Sequence, residues 1–213
     1  MALQYLAGAP QNVGPGPNTN QGGGPQGDAW VSEYLPKYAT LARQGKIIKY
    51  AAAVTLAHLT TSTAQTFGLI NPSGSGYNAH LLWTSLGFTT GTTVVGTISW
   101  AIQNASTYPP TSLTAATAFN ANPLYGVGVV QPYSALTSTS TAPQYYWDMI
   151  LTTPTTTTVY GQQIVKDQGG ALVIPPGFVA YLGQITAAAA AGTAEVAWVE
   201  VPIPLSLGIV QSH

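Results

Sequence analysis

The side chains that could move a proton or hold a metal ion are few: six carboxylates (Asp28, Glu33, Asp148, Asp167, Glu195, Glu200) and three histidines (His58, His80, His213). Glycoside hydrolysis needs two carboxyl groups facing each other across a cleft. Glu195 and Glu200 fall in one expected strand, and their odd spacing sends them to opposite faces. Asp148 with either of them stays geometrically open. The histidines have no acid or cysteine at a ligand spacing, and no loop gathers the oxygen ligands that calcium needs. The chain has no cysteine, which removes disulfides and thiolate metal sites. No Gly-x-Ser-x-Gly surrounds a nucleophile. The expectation is a protein without catalytic residues, metal or cofactor.

Aromatic rings offer a second kind of chemistry, stacking on sugar faces. Tyr108, Tyr125 and Tyr133 lie in a turn-rich excursion, and Tyr145 and Trp147 flank Tyr146 in a short strand-like run. Trp100 and Trp198 sit in alternating strands and read as core. Because Tyr145-Tyr146-Trp147 also alternates, only part of it can face outward. Packing in a core or a subunit interface is the favoured reading, with a glycan platform as the alternative. Asn104-Ala105-Ser106 fits the N-glycosylation pattern, but no signal peptide is visible and its use is not expected. Lys37, Arg43, Lys46 and Lys49 cluster without interleaved aromatics, and the net charge is −1. Neither nucleic acid nor anionic lipid is an expected partner.

The elements that must position these residues are mostly strands. Phe67–Phe88 reads as an apolar run, the polar turn Asn71-Pro72-Ser73-Gly74-Ser75-Gly76, and a second apolar run. Pro72 fixes its own φ and keeps Asn71 extended, and the two glycines permit φ > 0. Beyond the turn, alternation places Leu81 and Trp83 on one face and Leu82 and Thr84 on the other. Lys46–Leu59 is long enough for two strands or one bent one, and further strands are expected at Gln65–Asn71, Tyr77–Phe88 and Thr92–Gln103. Tyr145–Thr153 and Thr157–Val165 read as a pair around Pro154, followed by a short Ala171–Ile174. Phe178–Ala187 and Ala194–Ile203 read as a closing antiparallel pair. Asn104–Tyr133 reads as one long excursion of the kind that carries function or an interface. The total, about eight to ten strands with turns between them, indicates a sandwich or barrel.

The N-terminal part differs. Residues 1–27 are rich in proline and glycine and read as an extended arm without a core of its own. Tyr5, Pro10, Pro15, Pro17 and Pro25 are its candidate partner-binding residues. Residues 28–45 carry apolar side chains at helical spacing, and Pro36–Gln44 is expected to be a short helix ended by Gly45. Residues 46–213 form the sandwich. Met1–Tyr5 lacks the basic start and apolar core of a secretory signal, and no apolar run approaches the ~20 residues that span a bilayer. The most unusual figure is 5% charged residues, against roughly 25% in soluble domains. Between Tyr50 and Asp148 there is no Asp, Glu, Lys or Arg. Such a surface points to contact with other protein or to incorporation in a large particle, with a monomer solvated by neutral polar groups as the alternative.

Four segments in order carry a resemblance: Tyr38-Ala39…Arg43-Gln44-Gly45-Lys46; Phe67-Gly68-Leu69-Ile70 with Asn71-Pro72-Ser73-Gly74-Ser75-Gly76; Ile174-Pro175-Pro176-Gly177-Phe178; and Gly192-Thr193…Trp198-Val199-Glu200-Val201-Pro202-Ile203. Together they resemble virion structural proteins of tailed bacteriophages, a heterogeneous group of head decoration (cement), fibre and tail-associated proteins. The resemblance covers roughly Tyr38–Ile203. It implies an all-β, jelly-roll-like antiparallel sandwich, often trimeric, without enzymatic activity, and it supplies no catalytic residues. The expected role is a decoration protein, made in the host cytoplasm and resident in the virion, that associates with itself and with the major capsid protein. A receptor- or glycan-binding module and a shell-forming single jelly roll are the alternatives.

Overall fold

A computed structural model describes residues 37–59, 64–90, 96–107, 109–137, 144–146, 151–152, 163–185 and 190–203. The chain divides into two compact units, Met1–Lys46 and Ile47–His213. In the first, the described structure is a five-residue helix, α1 (Ala39–Arg43). It is shorter than expected because Tyr38, at φ 70°, already lies in the left-handed region. Its end is as expected. Gly45 has φ 66° and donates its N–H to the Ala42 carbonyl, while the Lys46 N–H reaches the Leu41 carbonyl at 2.9 Å. This double closure satisfies the last carbonyls of a helix too short to be stable alone.

The described residues of the second unit form thirteen strands: β1 (Ile47–Leu56), β2 (Ala64–Gln65), β3 (Gly68–Asn71), β4 (Tyr77–Thr90), β5 (Gly96–Asn104), β6 (Thr111–Ala115), β7 (Phe119–Asn120), β8 (Gln131–Thr137), β9 (Gln144–Tyr146), β10 (Leu151–Thr152), β11 (Gln163–Ile174), β12 (Phe178–Gln184) and β13 (Ala190–Pro202). They form two antiparallel sheets. One has the order β11-β4-β13-β1-β7; the larger has β10-β5-β12-β3-β8-β2, with β6 on β8 and β9 on β5. Taking β9 and β10 as one interrupted strand leaves eight principal strands. The first pairs with the last (β1–β13), the second with the seventh (β3–β12), the third with the sixth (β4–β11) and the fourth with the fifth (β5–β9/β10). This is the winding of a jelly roll, a long antiparallel ribbon folded over itself. The remaining strands extend the sheet edges, β7 beyond β1 and β8, with β2 and β6, beyond β3.

The core lies between the sheets. Ile48, Tyr50, Val54 and Leu56 of β1 meet Trp100 and Ile102 of β5, Ala180 and Leu182 of β12, and Val196 and Trp198 of β13. Trp100 and Trp198 are fully buried, as expected. A second cluster, Leu59, Ala101, Leu136, Val179 and Tyr181, occupies the other face of the larger sheet. Both faces of β12 are therefore apolar, and its burial shows no alternation.

Several strand expectations need correction. Leu81 and Trp83 do not share a face. The partners of β4 step from Trp83 to Leu81 on both sides, which makes Leu82 a bulge. Ala79 and Leu81 point inward before it, Leu86 and Phe88 after it, and Trp83 is turned to the outer face. Residues 163–165 and 171–174 are halves of one strand, β11, which pairs with β4. Gly169 (φ 60°) and Gly170 (φ 86°) fold the intervening residues out of the ladder. Of the strands expected on either side of Pro154, the described parts take other partners: β9 and β10 lie against β5 and residues 163–165 pair with β4, while residues 153–162 lie outside the described residues. Nor do β12 and β13 pair with each other, since they belong to different sheets. The Pro72–Gly76 turn likewise joins β3 of one sheet to β4 of the other, an arch rather than a hairpin.

Candidate functional site

The arch explains the polar residue at its foot. Asn71 is fully buried at the end of β3, and its amide donates to the Tyr77 carbonyl (2.7 Å) and to the Ile174 carbonyl (2.8 Å). Its own carbonyl accepts from Gly177 N–H at 2.8 Å. The Asn71 side chain thus ties the start of β4 to the end of β11, and its backbone carbonyl holds the turn before β12. Two of the sequence segments singled out above, 67–76 and 174–178, meet at this residue.

At this end of the first sheet lies the loop 121–130, which carries the most exposed large apolar side chain among the described residues, Leu124. It leaves β7, which is hydrogen-bonded to β1, and returns to β8. Three side chains fix it. Asn120, buried, donates to the Gly126 carbonyl at 2.8 Å and accepts from Asn122 N–H at 2.9 Å. Asn122 in turn accepts from Leu124 N–H. The third is Glu200 of β13, whose two carboxylate oxygens take the N–H groups of Val129 (3.0 Å) and Val130 (2.9 Å), with Trp198 Nε1–H at 3.3 Å. The loop is held by hydrogen bonds, yet it presents Leu124, Tyr125, Val127 and Val129 to solvent, with Leu124 89% exposed. Val201 and Ile203 are exposed on the adjoining end of β13.

A second cluster lies on the outer face of the same sheet. Cross-strand register sets Trp83, Ala197, Lys49 and Phe119 in a row over β4, β13, β1 and β7. Lys49 Nζ is 2.6 Å from Glu195 Oε2, and it lies 5.7 Å from the Trp83 ring centre and 5.9 Å from that of Phe119. Trp83 Nε1–H donates to Glu195 Oε1 at 3.2 Å. The small, fully buried Ala197 lies between Trp83 and Lys49 in this row. Each polar group has its counterpart within the set, so the cluster pins four strands without presenting an unmatched charge.

The carboxylates thus fall as follows. Glu195 and Glu200 occupy opposite faces of β13, as their spacing requires, and each is engaged in holding the fold. Asp167 accepts Gly169 N–H at 2.8 Å inside the β11 bulge. Asp28, Glu33 and Asp148 lie outside the described residues. His80 Nδ1 is 2.9 Å from the Gly170 carbonyl. Among the described residues no group of three His, Asp or Glu side chains could hold a metal ion, and no helix is long and apolar enough to cross a membrane.

The aromatic candidates separate. Tyr125 is exposed on the loop, 49% accessible. Tyr133 was expected in an excursion, but it belongs to β8 and packs half-buried against the second cluster. Pro132 and the polar residues around it hid that strand, since proline is read as a strand breaker; here it stands opposite Leu69. Tyr145 is placed in β9 by its backbone. Tyr108 and Trp147 lie outside the described residues, as do the arm candidates Tyr5, Pro10, Pro15, Pro17 and Pro25. The roles of Asn120 and Glu200 were not foreseen. The one available signal was a polar residue, Asn120, beside a Gly/Pro-punctuated apolar stretch, 123–130.

No protein-family model, no curated protein and no solved structure matches this chain.

Proposed function

We propose that this protein is a structural subunit of a virus particle, in the role of a capsid decoration or cement protein of a tailed phage, and that it works by associating with itself and with shell subunits. The observation that carries this reading is an exposed apolar loop fastened by side-chain hydrogen bonds on a jelly roll with 5% charged residues. A soluble domain that worked alone would gain solubility from charged groups and lose nothing by burying Leu124. A subunit of a lattice has the opposite requirement. Its surface must lose water at low cost, and a buried unpaired charge would oppose that. Many modest contacts repeated over a shell then hold cumulatively. The proline- and glycine-rich residues 1–27 supply, on this proposal, a strap that reaches a neighbouring subunit.

The test is the native mass of the full chain by light scattering over a range of concentrations. A stable trimer or larger assembly is the expected result; a monomer throughout would overturn the assembly reading. Glycan binding is the second reading, favoured by the two exposed rings of Phe119 (45%) and Tyr125 (49%). It predicts hits on a glycan array that disappear in Phe119→Ala or Tyr125→Ala.

A further inference from the structure

We infer that residues 204–213 of this same chain dock on the loop 121–130 and cover its apolar side chains. Leu124, Tyr125, Val127 and Val129 on the loop, with Val201 and Ile203 beside it, are exposed among the described residues. The chain leaves β13 at this place. The Ile203 N–H is bonded to the Gly76 carbonyl at 2.9 Å, and Glu200, three residues earlier, holds Val129 and Val130. At about 3.3 Å per residue, this end of the loop and Ile203 lie roughly 10 Å apart along β13. The sequence that follows is Pro204-Leu205-Ser206-Leu207-Gly208-Ile209-Val210-Gln211-Ser212-His213. Pro204 has no N–H with which to continue the ladder. Leu205, Leu207 and Ile209 then recur at every second position with Ser206 and Gly208 between them, the pattern of a segment with one apolar side.

The covalent tether selects this occupant. Leu205 and Ile209 lie two and six residues past Ile203, so an extended chain carries them up to about 20 Å from it, a span on the scale of the loop. A segment so tethered meets the loop at an effective concentration of order mM, above that of any separate partner in dilute solution. Its chemistry suits the surroundings. Residues 204–213 hold no Asp, Glu, Lys or Arg. They bring no charged side chain to be desolvated against the apolar loop or set beside the Glu200 carboxylate. The loop is organised to receive them, because Asn120 and Glu200 already fix its backbone and little ordering remains to be done on docking. The inference goes beyond the assembly reading and does not rest on it. On that reading, a contact made through the loop begins with displacement of this segment, which until then keeps the apolar end of the free subunit out of water.

The experiment is disulfide trapping in the full chain, which has no cysteine of its own. Leu124→Cys/Leu207→Cys tests the docked pair. Ser73→Cys/Leu207→Cys is the control, because Ser73 is exposed in the arch whose Gly76 carbonyl holds Ile203, within similar reach but outside the patch. Leu124 and Ser73 are both at the surface, so neither change touches the core. Dilute protein is oxidised with copper phenanthroline, and non-reducing gels with intact mass separate a bond within one chain from a bond between two. Expected is a bond within one chain, formed about tenfold faster in the Leu124 pair than in the control and at a rate independent of protein concentration. Without cysteines, Leu205→Ser/Leu207→Ser/Ile209→Ser should raise the fluorescence of the apolar-surface dye ANS severalfold, and adding Leu124→Ser/Val127→Ser should abolish the rise. Equal rates in the two pairs, no bond in either, or no rise in ANS fluorescence would overturn the inference. Bonds that join two chains would overturn it in favour of a segment exchanged between copies and would leave the assembly reading standing. A wild-type monomer by light scattering would overturn that reading and leave this inference intact.

Discussion

Replacing Gly128 by alanine should detach the loop 121–130 from β13, although the substitution adds one methyl group. A Cβ at this position would overlap Oε1, Cδ and Oε2 of Glu200. The Gly128 φ is not in the left-handed region, so the carboxylate alone decides the outcome. The Glu200 side chain can swing away at small steric cost. What is lost is the acceptor for the N–H groups of Val129, Val130 and Trp198. Hydrogen bonds to an ionised group contribute roughly 1.5–3 kcal/mol each. Val129 lies in an exposed setting and rehydrates. Val130 is 2% exposed and Trp198 is fully buried, so their donors rehydrate poorly. Counting the Val130 bond nearly in full and the other two in part gives a loss of about 3 kcal/mol. For a domain of this size that lowers Tm by about 6–12 °C. Urea unfolding followed by tryptophan fluorescence measures it. Glu200→Ala should cost a similar amount, and the double variant should cost no more than the worse single one, because both remove the same contact. Additive losses, or a Gly128→Ala protein within about 0.5 kcal/mol of wild type, would refute the latch.

Three further substitutions probe the interior. The fully buried Thr84 hydroxyl accepts from Trp100 Nε1 (3.0 Å) and Gln168 Nε2 (3.1 Å); Thr84→Val keeps the shape, removes that acceptor and should cost about 2–4 kcal/mol in denaturant unfolding. Gly183→Ala should destabilise by about 2–3 kcal/mol, because its Cβ would lie 2.7 Å from the Ala57 carbonyl oxygen, Gln65 Oε1 and Leu59 Cδ2. That carbonyl cannot retreat without breaking its 2.8 Å bond from Gln184 N–H. Tyr50, stacked on Phe67 at 4.7 Å, buries a hydroxyl with no hydrogen-bond partner, so Tyr50→Phe should be neutral or stabilising by up to about 1 kcal/mol at pH 7. Burial raises this phenol above its ordinary 10.0. The unfolded chain therefore releases the proton first, and wild-type stability falls from about pH 10 up to the folded value. Tyr50→Phe should lose that share of the alkaline slope in a pH series of unfolding curves.

The strands were legible in the sequence wherever one rule governed a whole segment. β5 showed its β-branched residues, and Trp100 and Trp198 in β5 and β13 read as core and are buried. The class, an antiparallel sandwich, followed from strand number and turn spacing. Partner choice did not follow, because an arch and a hairpin use the same turn residues. Asn71-Pro72 and the glycines at 74 and 76 would serve either; the sheet change is secured by Asn71 reaching Ile174, 103 residues away. The Leu82 bulge was invisible for a similar reason. Leu81 and Leu82 are equally apolar, and only the partners' register decides which of them leaves the ladder. Gly169-Gly170 reads as the end of a strand, yet here it is a fold within one. The loop anchors were hidden most deeply, since Glu200 and Val129 are 71 residues apart and meet only through the winding of the sheets.

The few charges present have a common use. Among the described residues the acids are Asp167, Glu195 and Glu200, and each holds a place where the regular ladder gives way or needs support. Asp167 closes the bulge of β11, Glu195 with Lys49 and Trp83 binds neighbouring strands, and Glu200 fastens the loop. In an ordinary soluble domain most carboxylates are spent on solvation, and their removal changes stability little. Here the solvating role passes to Thr, Ser, Asn and Gln, which can give up water to another protein without leaving a charge behind. On the proposed assembly role such a surface is suited to association, and the described acids serve the joints that shape it. Neutralising any one of the three should therefore be felt in folding stability or loop exchange, while leaving the outer surface as uncharged as before.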